Sequence, residues 1–180
     1  MPFKPSVAIV LLSALLAAAP VTAQKPPAPP SAAGEVAELM KAGRLDEALA
    51  RAEARLKDNP RDAQVRFMRG VILAEQGKAV EATLVFERLI QEFPELPEPY
   101  NNLAAIHAAQ GRYESAQRLL LQALQAAPNY VTAYENLGDL YLSMAQAAYG
   151  RALELDPDNR TAGPKLQATR ELAQRLRQAR

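Results

Sequence analysis

The side chains that could perform catalysis are few in this chain. It contains no cysteine and a single histidine, His107, which excludes a nucleophile–base pair of the cysteine–histidine kind. Glu135 and Asp139 lie four residues apart, so a helix would place both carboxylates on one face, where a carboxyl with a raised pKa can act as a general acid or base. Acidic pairs at this spacing are also common on solvated helices. We therefore expect a protein that is not an enzyme.

The sequence also gives His107 no partners for binding a metal. A metal site needs several ligands close together, and the sequence shows none near this histidine. It contains no glycine-rich phosphate-binding loop. We expect His107 to be a mostly buried side chain with one hydrogen bond, and we expect no cofactor and no metal.

The elements that position these side chains repeat with a fixed period. Proline recurs every 34 residues, at Pro60, Pro94 and Pro128. Each proline follows an alanine by twelve residues and a glycine by seventeen, at Ala48, Ala82, Ala116, Gly43, Gly77 and Gly111. The alanine lets two helices approach closely, the glycine allows a turn between them, and the proline ends the second helix because it cannot continue the hydrogen-bond ladder. This period predicts stacked helical hairpins.

The third unit resembles a tetratricopeptide repeat (TPR). It carries most of that family's motif in Tyr100, Leu103, Ala104, Gly111, Tyr113, Ala116, Leu120, Ala123 and Pro128. The other units keep parts of the motif, and the predicted array, residues 34–159, divides into units of about 29–62, 63–96, 97–130 and 131–159. The resemblance implies an all-α, right-handed superhelical solenoid of about 3.5 hairpins, with one concave and one convex surface.

The fourth unit departs from the period. Pro128 and Pro157 are only 29 residues apart, and the missing five residues fall between Tyr141 and Ala145. The turn glycine of the other units should lie in this stretch, and no other helix-breaking residue replaces it. The two halves of this unit are therefore predicted to be fused.

Apolar side chains continue through the shortened stretch at helical spacing. We therefore predict one uninterrupted helix from about Thr132 to Leu155 and consider a tight turn at Ser143 the competing possibility. The exposed apolar stripe of such a helix would need a cover, which gives an alternative function: a self-associating structural subunit, hence a possible homo-oligomer. Residues 160–180 are predicted to contain a basic capping helix that begins at Pro164.

The N-terminal residues have the composition of an export signal and a tether. Residues 1–23 combine a short basic start, an apolar segment and small residues before Ala23, which predicts a signal peptide cleaved after Ala23. Residues 24–33 contain four prolines and predict a Pro/Ala-rich linker. We expect a periplasmic protein with no transmembrane span in the mature chain. The 21 basic and 20 acidic residues nearly balance, which argues against nucleic acid as a partner.

In the TPR family, the first helix of each unit lines the concave groove. By match to the repeat, the resemblance assigns this groove to Gln64, Phe67, Met68, Val71, Glu98, Asn101, Asn102, Thr132, Glu135, Asn136 and Asp139. These residues include no lysine or arginine, so we expect a protein or peptide partner with apolar and basic residues. Asn102 and Asn136 stand where the family often has asparagine, whose amide can bind an extended peptide backbone, although asparagine is also simply common there. The resemblance implies a non-catalytic scaffold or adaptor, which the signal peptide would direct to the cell envelope.

Overall fold

The computed structural model describes residues 32–178, and these residues form eight α-helices. The predicted signal peptide, and all but the last two residues of the predicted linker, lie outside the described residues. Residues 32 and 33, assigned above to the linker, are the first residues of α1. The helices are α1 (Ala32–Lys41), α2 (Leu45–Asp58), α3 (Ala63–Glu75), α4 (Ala79–Glu92), α5 (Pro97–Ala109), α6 (Tyr113–Ala126), α7 (Val131–Leu155) and α8 (Ala162–Gln178).

Three helical hairpins, α1–α2, α3–α4 and α5–α6, turn at the predicted glycines. Gly43, Gly77 and Gly111 have φ of 70°, 76° and 73°, a left-handed conformation that costs glycine least. At the first turn the Gly43 amide donates to the Met40 carbonyl and the Arg44 amide donates to the Leu39 carbonyl. This is the Schellman pattern, which satisfies the last carbonyls of a helix. Its repetition at the other two glycines explains why the spacing predicted the hairpins correctly.

The hydrophobic core runs between hairpins as well as within them. Ala48, Ala82 and Ala116 are completely buried, which confirms that these positions bring two helices close together. The middle core cluster joins Leu73 of α3 and Phe86 of α4 to Leu103 of α5, so one hairpin closes against the first helix of the next. Stacking of this kind buries the apolar faces that a single hairpin would leave in water.

An ion pair reinforces the hairpin that carries the candidate site. The Arg66 guanidinium in α3 donates to both carboxylate oxygens of Glu92 in α4, at 2.6 and 2.8 Å. The same guanidinium lies 5.9 Å from the centre of the Phe93 ring, and its side chain is only 14% exposed. The hydrogen bond from Arg66 holds the pKa of the Glu92 carboxyl below its usual range.

Helix α7 is continuous over 25 residues, which confirms the predicted fusion of the two halves of the fourth unit. The predicted alternative, a turn at Ser143, is not formed: the Ser143 hydroxyl donates to the Asp139 carbonyl one helical turn earlier, at 3.0 Å.

Helix α8 packs along the second half of α7, where the Gln146 side chain donates to the Thr169 carbonyl and the Lys165 ammonium lies 5.7 Å from the Tyr149 ring.

Helix α8 begins two residues before the predicted Pro164. The Asn159 side-chain oxygen accepts hydrogen bonds from the backbone amides of Thr161 and Ala162, at 3.1 and 2.9 Å. An asparagine in this place satisfies amide donors that the first turn of a helix leaves free. The cap therefore sets the start of α8, and Pro164 follows within its first turn.

Candidate protein-binding groove

An apolar concavity lies between the first helices of the three hairpins. This apolar cavity has a volume of about 630 Å³. It is lined by Ala37, Met40, Ala63, Gln64, Phe67, Met68, Val71, Leu96, Glu98 and Pro99. Five of the eleven predicted groove residues are therefore brought together here, and Glu98 is the one charged residue among the ten that line the cavity. A concave apolar surface with a single carboxylate suits an apolar side chain that is followed by a cation.

The apolar wall of this cavity is anchored in the core. The Phe67 ring lies 5.9 Å from the buried Phe86 ring, with their planes tilted by 49°. Met68 packs on the core cluster that contains Val36 and Ile72. Both groove residues are half-buried, so each offers part of its surface to the cavity while the rest is held by neighbours. The wall is thus shaped before any partner arrives, which lowers the entropy cost of binding.

A second cavity of about 200 Å³ lies farther along the array, between α5 and α7. It is lined by Ala104, Ala105, Ala108, Leu120, Asn136, Asp139, Leu140 and Ser143. Two more predicted groove residues, Asn136 and Asp139, are therefore found at this end. Thr132 and Glu135 are exposed on α7, and neither is among the residues that line the two cavities. The second cavity adds another carboxylate, that of Asp139, to the groove.

The asparagines of the groove take part in the fold itself. Asn101 is only 6% exposed, and its side-chain oxygen accepts a hydrogen bond from the Asn136 amide at 2.7 Å. This pair joins α5 to α7. The Asn102 amide donates to the Glu98 carbonyl of its own helix, at 2.9 Å. Asn101 is therefore a contact between repeats, while Asn102 and Asn136 each use one donor inside the protein and keep further amide capacity.

The Glu98 carboxylate also acts on the residue that precedes α7. Burial, and then the negative charge of Glu98, raise the pKa of the Tyr130 phenol. The Tyr130 phenol is therefore close enough to Glu98 to be affected by its charge.

His107 is partly buried on α5, and its Nδ1 atom is buried without a hydrogen-bond partner. The one hydrogen bond expected of this side chain is therefore not made at that nitrogen. Burial, followed by the charge of Arg112, lowers the pKa of the imidazole from its ordinary value of 6.5. The imidazole therefore binds a proton less readily than an exposed histidine side chain does.

Residues 32–178 contain no group of three or more histidine, cysteine, aspartate or glutamate side chains that could hold a metal ion. Within the same residues, no helix combines the length and the apolar character needed to span a membrane.

Half of the apolar cavity was missed by sequence reasoning. Ala37 and Met40 come from the first unit, whose opening helix is too degraded for the motif to assign groove positions. The period itself could have found Ala37, which lies 34 residues before Val71. Leu96 and Pro99 lie where α5 begins, and no periodic signal marks that junction as part of a groove.

Comparison with protein families and curated proteins identifies repeats of one kind. Two models described as "Tetratricopeptide repeat" match residues 35–97 and 73–141. "TPR repeat-containing thioredoxin TTL4" of Arabidopsis thaliana is 35% identical over 82 residues, which are 46% of this chain and 12% of that protein. "Tetratricopeptide repeat domain-containing protein PYG7, chloroplastic", from the same plant, is 24% identical over 136 residues, 71% of this chain and 45% of that protein. The chain thus spans less than half the length of either relative.

Solved structures share the fold. The structure "First TPR of Spaghetti (RPAP3) bound to HSP90 peptide SRMEEVD" has a TM-score of 0.58 at 18% identity and covers 63% of this chain and 90% of that chain. The structure "Functional Characterization of Pseudomonas Aeruginosa pilF" has a TM-score of 0.58 at 19% identity and covers 77% of this chain and 65% of that chain. The family matches, the turns at glycine and the stacked hairpins all indicate the same kind of repeat. This chain therefore belongs to the tetratricopeptide-repeat family.

Proposed function

We propose that this protein is a non-catalytic scaffold or adaptor of the cell envelope that binds a partner peptide or helix in its concave groove. The observation that carries the proposal is the apolar cavity between α1, α3 and α5, whose ten lining residues include one carboxylate and no cation. Its volume of about 630 Å³ is within the range of sites that enclose several side chains.

The chemistry of the cavity favours one kind of partner. An apolar side chain would be buried against Phe67, Met68 and Met40, and a basic side chain beside it would lie near Glu98. In the RPAP3 structure the bound peptide ends in Glu-Glu-Val-Asp, which is acidic. The cavity described here offers such a sequence no positive side chain, so we propose that this protein prefers basic peptides.

Two peptides with one apolar core test this preference. One peptide carries lysines beside the core and the other carries glutamates, and binding is measured by fluorescence anisotropy. We expect the lysine peptide to bind at least about fivefold more tightly, since one favourable charge contact at a protein surface is worth about 1 kcal/mol. Added salt should reduce the difference because these charges are solvent-exposed.

A matched pair of variants locates the binding site. Gln64 is exposed and lines the apolar cavity, whereas Gln91 is exposed on α4 and is not among the residues that line it. Gln64→Lys should weaken binding of the lysine peptide, and Gln91→Lys should leave it nearly unchanged. Equal affinity for the two peptides would remove the proposed preference, and equal effects of the two variants would place the partner elsewhere.

The envelope location rests on residues 1–23, whose basic, apolar and small-residue segments are those of a signal peptide. Expression with this segment in a Gram-negative host, followed by fractionation and mass spectrometry of the N-terminus, tests the assignment. We expect a periplasmic protein that begins at Gln24. An uncleaved chain in the cytosol would contradict the envelope part of the proposal and leave peptide binding untouched.

A further inference from the structure

Helix α7 carries an apolar stripe along its whole length. The residues of the stripe follow one another in alternating steps of four and three, at Tyr134, Gly138, Tyr141, Ala145, Ala148 and Ala152. Val131 and Leu155 extend the same pattern to both ends of the helix. This is the spacing of the seam in a coiled coil, and it continues here for more than three heptads without a charged residue. The helix is about 38 Å long, so the stripe is a long surface.

The stripe is exposed in the structure. Val131, Tyr134, Tyr141 and Leu155 retain 66%, 55%, 47% and 71% of their accessible surface. The preceding hairpin packs on another face of α7, through Ala133, Leu137 and Leu140. Helix α8 packs on a third face, which carries Gln146. The neighbouring helices therefore leave most of the stripe uncovered. The Tyr141 hydroxyl accepts a hydrogen bond from the Gln117 side chain of α6 at 3.2 Å, and Ala145 and Ala152 are partly buried.

The other hairpins show what is missing from this surface. In the second unit, a Cβ atom on Gly70 of α3 would lie 2.6 Å from the Phe86 ring of α4, because the second helix covers the first at this position. Gly138 occupies the same repeat position in α7, and a Cβ atom there would meet nothing within 4 Å. Likewise Tyr134 is 55% exposed, whereas its counterpart Tyr100 is 7% exposed. The stripe lies where the second helix of the hairpin would pack.

The second half of α7 corresponds to that second helix, but it continues the first half instead of folding back on it. Ala145, Tyr149 and Ala152 precede Pro157 at the spacing with which Ala116, Leu120 and Ala123 precede Pro128 in the third unit. All three residues are buried in the third unit, and all three are only partly buried in α7. Helix α7 thus carries both surfaces of a hairpin interface, and a straight helix cannot bring its own two halves together.

We propose that a second copy of this chain covers the stripe, with the two α7 helices antiparallel. Each helix then places its first half on the second half of the other, which closes two hairpin-like interfaces related by a two-fold axis near Ser143. In this register Tyr134 faces Ala152 of the second copy, Gly138 faces Ala148, and Tyr141 faces Ala145. Each tyrosine thus meets an alanine, and the glycine between the two tyrosines also meets an alanine, so the two helices can approach closely.

Two neighbouring alanines provide a matched test of the stripe. Ala148 lies on the stripe and Ala147 lies off it; both are exposed, and both are within about one helical turn of Arg151. In sedimentation experiments between about 1 and 100 µM, we expect the exported protein, which begins at Gln24, to approach twice its monomer mass. Ala148→Glu should raise the dimer dissociation constant by at least about tenfold, because it buries a charge in an apolar interface, and Ala147→Glu should not.

The absence of cysteine allows the orientation to be tested as well. Gly138→Cys and Ala148→Cys proteins should form a disulfide when mixed, and neither should cross-link efficiently with itself. Self-linking of each variant would indicate parallel helices and overturn the proposed register. A wild-type protein that stays monomeric, or equal effects of the two glutamate variants, would overturn the dimer. Circular dichroism of each variant checks that the fold is kept. Ala148→Glu should still bind the lysine peptide, so that loss of the dimer can be distinguished from loss of the groove.

Discussion

Gly70 packs against Phe86, whereas Gly138, at the same repeat position in α7, has no such neighbour. We therefore predict that alanine substitutions at these two glycines change the free energy of unfolding differently. Replacing a glycine inside a helix by alanine stabilises the helix by about 0.5–1 kcal/mol. At Gly138 this gain should appear in full, because the added methyl group meets nothing within 4 Å. At Gly70 the methyl group would lie 2.6, 2.9 and 3.1 Å from three ring atoms of Phe86, which is completely buried.

The steric cost can be isolated by comparing the two variants. Overpacking of a close-packed core costs about 1–3 kcal/mol, and the helix-propensity gain is common to both sites, so it cancels. We therefore expect Gly70→Ala to be about 1–3 kcal/mol less stable than Gly138→Ala. Both changes should be made in the Ala148→Glu background, so that self-association does not enter the comparison.

Urea unfolding followed by far-ultraviolet circular dichroism measures this difference. The direction of each shift is as informative as the difference between them. Gly138→Ala should raise the unfolding midpoint above that of the parent, and Gly70→Ala should lower it. If both alanines stabilised the protein equally, α4 would not cover α3 as described. If both destabilised it, the first half of α7 would be covered within one chain.

Three further predictions concern the buried amide, the histidine and the missing turn. Asn101→Ala should cost about 1–2 kcal/mol in the free energy of unfolding, since it removes a buried partner of Asn136, and Asn136→Ala in addition should cost less than the sum of the single changes. Because the pKa of His107 in the folded state lies below 6.5, the unfolded chain binds a proton more readily than the folded protein does. The free energy of unfolding should therefore fall as the pH decreases from 6.5 through that lower pKa. Chemical denaturation over this pH range should show a smaller fall for His107→Gln. Replacing residues 142–144 by the eight residues 108–115 of the third unit should restore the hairpin and give a monomer by light scattering; a persistent dimer would show that the stripe is not the interface.

The repeats could be predicted from sequence because each depends on local chemistry. A glycine with positive φ, a small residue at a helix crossing and a proline after a helix act within a few neighbouring residues, so their spacing alone indicates the hairpins. The continuity of α7 followed in the same way, because the stretch before Ala145 contains no residue that ends a helix. Helix α8 begins two residues earlier than predicted because the Asn159 side chain accepts hydrogen bonds from the amides of Thr161 and Ala162, and Pro164 still lies in its first turn.

The groove was predicted only in part because its shape depends on contacts between units. Asn101 matched a groove position, yet its partner Asn136 lies 35 residues away and draws it into the interior. Met40 was not predicted because the opening helix of the first unit keeps little of the motif, and its counterpart one period later, Ala74, is not a predicted groove position. Positions that local chemistry marks were predicted, and positions that depend on how two repeats stack were not.

Methionine-methyl NMR tests the proposed binding site most directly. Of the four methionines, Met40 and Met68 line the apolar cavity, and Met144 lies on α7 outside it. Titration with the lysine peptide should shift the resonances of Met40 and Met68 and leave that of Met144 in place. A shift of Met144 alone, or no shift at Met40 and Met68 while the peptide binds, would contradict the account of the groove.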